Sequence, residues 1–260
     1  MGKERAEEKA VAPGRFKIYF DRFTKKFGDL LVLDDITFGI EDGEFLVIVG
    51  PTGCGKTTLV KLLIGLLEPT KGDIYINGRN TSQHAMQETI SVVFQEDSLL
   101  PWRSVRKNIQ LPLEVGGADK DRIEARTDEM LELLGLRDCA DYMPAQLSRG
   151  MRQRVAIARS YATDPSIIIM DEPFGHFDAT SREQIEKMII EVWRKTKATI
   201  LFVTHNIEEA VFLASRIIVL SQKPTGIKEV IPINLEHPRS YVGGKFIRIR
   251  KKVTDLIKWW

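Results

Sequence analysis

Gly50-Pro51-Thr52-Gly53-Cys54-Gly55-Lys56-Thr57 is the stretch on which the reading of this chain turns. The uniformly apolar run Phe45-Leu46-Val47-Ile48-Val49 precedes it, and Leu59, Leu62, Leu63 and Leu66 follow at helical spacing. Strand, glycine-rich loop and helix together form the setting that the P-loop pattern G-x-x-x-x-G-K-[ST] requires. Its glycines let successive backbone N–H groups turn inward and make an anion-sized nest at a helix N-terminus. Lys56 adds a point charge for outer phosphates, and Thr57 a hydroxyl suited to Mg2+. Gly50, Pro51, Thr52, Gly53, Cys54, Gly55, Lys56, Thr57 and the adjoining Thr58 are therefore candidates for holding a nucleoside triphosphate. A chance glycine-rich turn containing a lysine would not need both flanks.

The rest of the chain bounds what surrounds that loop. A length of 260 residues suits one large domain or two modest lobes, and 43% hydrophobic residues can build a real core. No apolar run reaches the ~18 residues of a membrane span, so the chain is expected not to cross a bilayer itself. Met1 to Gly14 is charged and alanine-rich, without the apolar core of a secretory signal. Cys54 and Cys139 make no disulfide framework, which fits a reducing, cytosolic setting. A net charge of +2 argues against a nucleic-acid binder built on bulk charge. The charge is uneven, however: Glu236 to Trp260 holds seven Lys/Arg against Glu236 and Asp255, leaving a mildly acidic body with a basic tail.

Upstream of the loop, Phe16 to Phe23 alternates, Leu31 to Ile40 is rich in β-branched and apolar residues, and Asp42-Gly43 reads as a turn. Lys25-Lys26-Phe27-Gly28 lies between those two strands. Downstream, Asp73 to Ile76 followed by Asn77-Gly78 is a hairpin signal, so an antiparallel sheet should flank the P-loop strand. Ile90 to Phe94 is a further short strand ending at Gln95. From Asp97 to Thr163 the pattern turns helical, with Ile123, Met130, Leu131 and Leu134 in register and Gly135 as a C-cap. Ser166 to Met170 reads as a buried parallel strand, and Thr180 with Glu183 as the capping box of the next helix. Thr199 to Val203 is a strand delivering His205 at its end, and Ile217 to Leu220 another. Alternating strands and helices imply a mostly parallel α/β core whose ligands lie beyond the strand C-termini, where Gly50, Asp171 and His205 all fall.

Asp171-Glu172 closing an apolar run is a Walker B pattern. Beside a P-loop, Asp171 suits the metal and Glu172 suits polarising an attacking water. Alone, that pair is also what an acidic strand end before Pro173 looks like, and His205 or Gln95 alone carries no signal. Leu147-Ser148-Arg149-Gly150-Met151-Arg152-Gln153-Arg154, just upstream and opening a helix over Val155 to Tyr161, changes the weighing.

With that octapeptide the order of motifs resembles the ATP-binding cassette (ABC) ATPases from residue 16 to 220. The resemblance implies an α/β, P-loop NTPase fold of ABC type: a mostly parallel core sheet, an antiparallel β subdomain and an inserted helical subdomain over about 97–163. The ATP-binding domain would span 16–240, and a basic amphipathic helix 241–260. It further implies ATP and Mg2+ as ligands. Phe27 matches the aromatic residue that stacks on adenine, Gln95 the glutamine after the P-loop, and Ser148, Arg149, Gly150 and Met151 the signature. Gly175-His176-Phe177-Asp178 matches the D-loop and His205 the switch histidine. Lys56, Glu172, His205 and Gln95 would be catalytic, while Thr57, Gln95 and Asp171 would hold the metal. In that family the signature of a second subunit covers the ATP, so one P-loop and one signature imply a homodimer or a paired ABC subunit.

Three departures stand out. Arg149 replaces the first signature glycine and Met151 the glutamine. An arginine at φ > 0 would be strained, whereas one reaching a phosphate would help. His176-Phe177 stands where small or aliphatic residues are usual, and Cys54 raises the prospect of oxidation sensitivity. Leu99-Leu100-Pro101-Trp102, Met151 to Arg154 and His237-Pro238-Arg239 are similar to the importer branch serving nitrate, sulfonate, taurine and similar small anions. That branch implies transmembrane permease subunits, indirectly an extracytoplasmic solute-binding protein, and the cytoplasmic face of the membrane, with no nucleic acid. Trp102 reads either as a docking residue or as packing inside the helical lobe. In the tail, Phe246, Ile249, Val253, Leu256, Ile257 and Trp260 share a stripe that would dock on the body or rest on lipid. A soluble ABC ATPase of ribosomes or DNA would be expected to carry two cassettes or long coiled coils. A P-loop kinase or GTPase would lack the signature.

Overall fold

A computed structural model of the chain describes residues 13–83, 89–96, 98–175 and 177–257. In chain order come β1 (Ile18–Phe27), β2 (Leu30–Ile40), β3 (Phe45–Val49), α1 (Lys56–Leu63), β4 (Lys71–Ile76), β5 (Arg79–Asn80) and β6 (Ile90–Val93). Then follow α2 (Val105–Val115), α3 (Lys120–Leu133), α4 (Arg149–Tyr161), β7 (Ile167–Asp171) and α5 (Ala179–Thr196). The last elements are β8 (Thr199–Thr204), α6 (Ile207–Leu213), β9 (Arg216–Leu220), β10 (Ile227–Pro232) and α7 (Gly244–Ile257).

The apolar runs become a six-stranded sheet, ordered β10-β9-β3-β8-β7-β6 and parallel except for β10. Strands covered on both faces need apolar residues at every position, which is why β3 and β7 show no alternation. Their side chains still divide by face. Phe45, Val47, Ile168, Met170, Ile200 and Phe202 join the core formed with the helices, including Ile157, Ile189 and Phe212. Leu46, Ile48, Ile169, Leu201 and Val203 face the other way, toward Leu59 and Leu63 of α1 and Phe20 and Ile36 of the second sheet. Each such fully buried side chain contributes about 1.5–3 kcal/mol.

That second sheet is antiparallel, ordered β2-β1-β4-β5. Asn77 (φ 48°) and Gly78 (φ 74°) join β4 to β5, both central residues being left-handed as a tight hairpin turn requires. Phe27 closes β1 itself rather than lying in a separate loop. In the helical lobe, Ser104, Asp119 and Ser148 cap α2, α3 and α4 by accepting N–H bonds from Lys107, Arg122 and Met151. Gly135 follows α3 with φ 61°.

Two local expectations need correction. Helix α5 is capped by Asp178, whose Oδ1 accepts from Ser181 N at 3.0 Å, not by a Thr180–Glu183 box. Asp178 precedes Thr180 and reaches the free N–H first, so the helix starts earlier. Helix α4 likewise starts at Arg149, well before Val155. In the tail, Phe246 and Val253 are buried and Ile249, Leu256 and Ile257 pack against the main core, so α7 docks on the body. Arg250 Nη1 reaches Glu208 Oε1 at 2.7 Å and fastens that helix to α6. Asp97, His176 and Trp260, part of the helical lobe, D-loop and stripe readings, lie outside the described residues. Among the described residues no helix is long and apolar enough to cross a membrane.

Candidate active site

Parallel register brings the strand ends together. Val49 pairs with Thr204, and Asp171 with Val203, so the residues following β3, β7 and β8 emerge side by side from one edge of the sheet. Gly50, Glu172 and His205 are those residues. Gly53 (φ 78°) and Gly55 (φ 115°) let the loop after β3 turn under itself. A Cβ on Gly55 would also stand 2.9 Å from Val32 Cγ1, so the loop needs glycine there twice over. Thr225, fully buried between β9 and β10, donates its hydroxyl to Cys54 O and braces the loop from below.

Lys56 opens α1 and is almost completely buried. Its Nζ donates to Gly50 O at 3.0 Å and Pro51 O at 3.1 Å, and lies 3.4 Å from Glu172 Oε1. The other Glu172 oxygen lies 2.9 Å from His205 Nδ1. Glu172 adopts φ 48°, a left-handed conformation uncommon outside glycine, and is held there by its N–H bond to Val203 O at 2.8 Å. Strain of this kind is typically retained where it aims a side chain. Cation, carboxylate and imidazole thus form one chain of contacts at the loop mouth.

Asp171 lies deeper. Burial raises its carboxyl above the usual carboxylate range, and a hydrogen bond with the Thr57 side chain opposes that shift. Its Oδ1 is buried without a hydrogen-bond partner. An orphaned carboxylate oxygen beside a hydroxyl is a donor set that fits a hard divalent cation. Among the described residues no cluster of three or more His, Cys, Asp or Glu could hold a metal.

The other candidate residues stand apart from this trio. The Gln95 amide approaches Gly175, where a Cβ would meet its Nε2 at 3.3 Å. Phe27 presents an exposed ring with Lys25 Nζ 5.0 Å above its centroid. Ser148 Oγ accepts from Met151 N at 3.2 Å, leaving the hydroxyl proton free to donate outward. Arg149 is exposed at the first turn of α4 and has helical φ, which removes the strain considered for it. Gly150 faces Phe177, whose Cε1 would stand 3.1 Å from an added Cβ, tying the signature to the D-loop segment. Cys54 is buried, and burial pushes its thiol up, so ready oxidation is not to be expected. Trp102 is 72% exposed and therefore not packing of the helical lobe. Asn108, fully buried, clamps its segment by bonding Leu100 N at 2.8 Å and the Arg103 carbonyl at 2.8 Å. Neither Asn108 nor Thr225 announces itself in the sequence: Asn108 is one polar residue in the first turn of a helix, and Thr225 acts on a loop 171 residues away.

Comparison with known proteins gives the family of the chain. Residues 33–175 match the family described as ABC transporter. An ABC transporter ATP-binding protein of Methanocaldococcus jannaschii, itself described as uncharacterized, is 40% identical, covering 94% of this chain and 92% of its own length. The aliphatic sulfonates import ATP-binding protein of Bacillus licheniformis is 39% identical, covering 96% and 91% respectively. Among solved structures, cbiO1 of Clostridium perfringens, part of the ABC transporter complex cbiONQ, superimposes with a TM-score of 0.77 at 25% identity, covering 84% of this chain and 89% of its own. A dimeric ATP-binding cassette in a post-hydrolysis state with ADP and Pi superimposes with a TM-score of 0.73 at 30% identity, covering 84% and 100%.

Proposed function

The chain belongs to the ABC transporter family as an ATP-hydrolysing subunit, and from that premise we propose that it energises an importer of small anions such as nitrate, sulfonates or taurine. The observation that carries the mechanism is the contact chain Lys56–Glu172–His205 at the mouth of the phosphate loop. The sulfonate-importer relative supports the solute class. The dimeric cassette with ADP and Pi supports a nucleotide sandwiched between two subunits, whether two copies of this chain or a pair of related ones.

In this reading Phe27 stacks on adenine, and the backbone N–H groups of the loop from Gly50 to Thr58, Pro51 apart, cradle the phosphates. Lys56 exchanges its carbonyl and carboxylate partners for phosphate oxygens. Thr57 and Asp171, with Gln95, would hold Mg2+, which would supply neutralisation of charge on the phosphate oxygens. Glu172 takes a proton from the attacking water, and His205, hydrogen-bonded to it, orients that carboxylate and meets the γ-phosphate. Ser148, Arg149, Gly150 and Met151 cover the ATP of the opposite subunit, and Asp178 belongs to the segment that meets it. No covalent phospho-enzyme is required.

Transmembrane permease subunits are the direct partners, and an extracytoplasmic solute-binding protein an indirect one. The subunit works at the cytoplasmic face of the membrane, without nucleic acid. Leu99 to Trp102 is the docking surface for the permease; Trp102, Tyr142 and Met143 are all exposed, and the bond from Val105 N to Tyr142 O at 2.9 Å ties the Tyr142 backbone to the start of α2 just after Trp102. Copurification from membranes with a permease, followed by ATP-dependent sulfonate or nitrate uptake in vesicles, tests the proposal. Assembly without a membrane partner, or uptake indifferent to this subunit, refutes it.

A further inference from the structure

Behind the catalytic trio lies a second polar cluster that the chemistry above does not use. Glu209 on α6 is 3% exposed. Its Oε2 accepts from Thr204 Oγ1 at 2.6 Å, and its Oε1 lies 3.3 Å from Arg182 Nε on α5. Thr204 ends β8 immediately before His205, and its Oγ1 also accepts from Asn206 N at 2.9 Å. Both peptide neighbours of His205 are therefore fixed to one hydroxyl, and that hydroxyl to one buried carboxylate. Arg182 Nη2 meanwhile donates to Phe177 O at 3.0 Å, in the segment that follows Glu172.

One guanidinium thus connects the backbone carrying His205 with the backbone leading away from Glu172. Glu172 and His205 hydrogen-bond each other across the same gap, so the spacing of those backbones sets the geometry of that bond. A carboxylate as buried as Glu209 needs a countercharge to stay ionised. A planar fork can donate from Nη2 to the Phe177 carbonyl while its Nε edge, which makes no hydrogen bond, faces Glu209 as a buried ion pair, an arrangement that a point-charge ammonium cannot reproduce.

We propose that Arg182 is a positioning residue for ATP hydrolysis, acting through Glu209 and Thr204 to hold His205 against Glu172. The inference rests on the reading of Glu172 and His205 given above. Misplacement of a positioned group by a fraction of an ångström to an ångström costs up to about 100-fold in rate. Arg182→Gln should therefore lower kcat about 10- to 100-fold while KM for ATP stays within about twofold. Arg182→Lys should recover thermal stability but not full kcat. Thr204→Val, which cuts the same linkage without disturbing the ion pair, should lower kcat in the same direction.

The decisive measurement is a double-mutant cycle in the full chain with His205→Ala. If Arg182 acts through His205, adding Arg182→Gln to His205→Ala changes kcat by less than about twofold. Additive losses, or wild-type kcat in both Arg182→Lys and Thr204→Val, overturn the proposal even should Arg182→Gln fail to fold. Wild-type turnover in His205→Ala overturns it too, but then the assignment of His205 falls with it, which separates the two failures.

Discussion

Lys56 Nζ lies 3.4 Å from Glu172 Oε1, so the proposed phosphate-binding cation and the proposed base are partners in one pair. Their pairing competes with phosphate for the same ammonium. Glu172→Gln removes that competitor and the repulsion between carboxylate and γ-phosphate. Affinity for Mg·ATP, read by titration calorimetry, should be equal or tighter, while phosphate release falls about 10²–10⁴-fold, the usual share of a general base. Weaker binding with unchanged turnover would contradict both roles.

Arg149 and Arg152 occupy the first turn of α4, which has no acidic residue. Cations are disfavoured there by roughly 0.3–1 kcal/mol, the positive end of the helix dipole lying beside them. With helical φ the arginine carries no backbone strain that glycine would relieve. Removing its charge should consequently leave the melting temperature equal or slightly higher. It should raise KM for ATP, since the partner's phosphates lose a charge-assisted contact. An Arg149→Gln variant with wild-type KM would make Arg149 a bystander of the signature.

Trp102→Ala tests docking. The side chain is 72% exposed, so its removal should leave the melting temperature and the ATP affinity of the isolated subunit nearly unchanged. Copurification with the permease should weaken and transport-coupled ATPase stimulation should disappear. Normal assembly and transport would move the docking surface elsewhere.

Glu186 on α5 gives the fold a measurable pH dependence. Burial pushes its carboxyl up to about 8, Glu209 and Glu183 add to the rise, and the Tyr241 hydroxyl and Arg182 oppose it. Between the ordinary carboxylate value and about 8 the folded chain keeps a proton that the unfolded chain releases. Stability therefore falls as pH rises through that range, by on the order of a few kcal/mol. His237 acts in the opposite direction: burial, then Arg239 and Arg194, lowers it to about 4, so stability falls as pH drops below its ordinary value. Thermal melts of Glu186→Gln should lose most of the decline between about pH 6 and pH 8.5, while the acid-side decline persists. An unchanged alkaline decline would place its source in another group.

The core strands and the linear order of the site were legible because both are local. A strand buried on both faces writes itself as an apolar run, and the P-loop, Walker B pair and His205 each follow such a run. What stayed hidden depends on distant pairing or on backbone angles. Glu186 meets Tyr241 across 55 residues, and Thr225 braces Cys54 across 171. Neither leaves a spacing signal. Arg182 and Glu209 stand 27 residues apart on two different helices, and no spacing in the chain marks them as a pair. Thr180 and Glu183 imitate a capping box, and only the position of Asp178 decides which residue reaches the free N–H. Sequence position likewise could not distinguish helical from left-handed φ at Arg149.

The dimer sandwich is tested most directly by the mass in solution of Glu172→Gln with Mg·ATP, measured by size-exclusion chromatography with light scattering. With hydrolysis blocked, the closed arrangement of Lys56 on one copy and Ser148 on the other should accumulate. A species of twice the monomer mass is predicted with Mg·ATP, reverting to monomer when ADP replaces it. A monomer at saturating Mg·ATP would contradict a sandwich of two copies of this chain and leave only pairing with a related subunit.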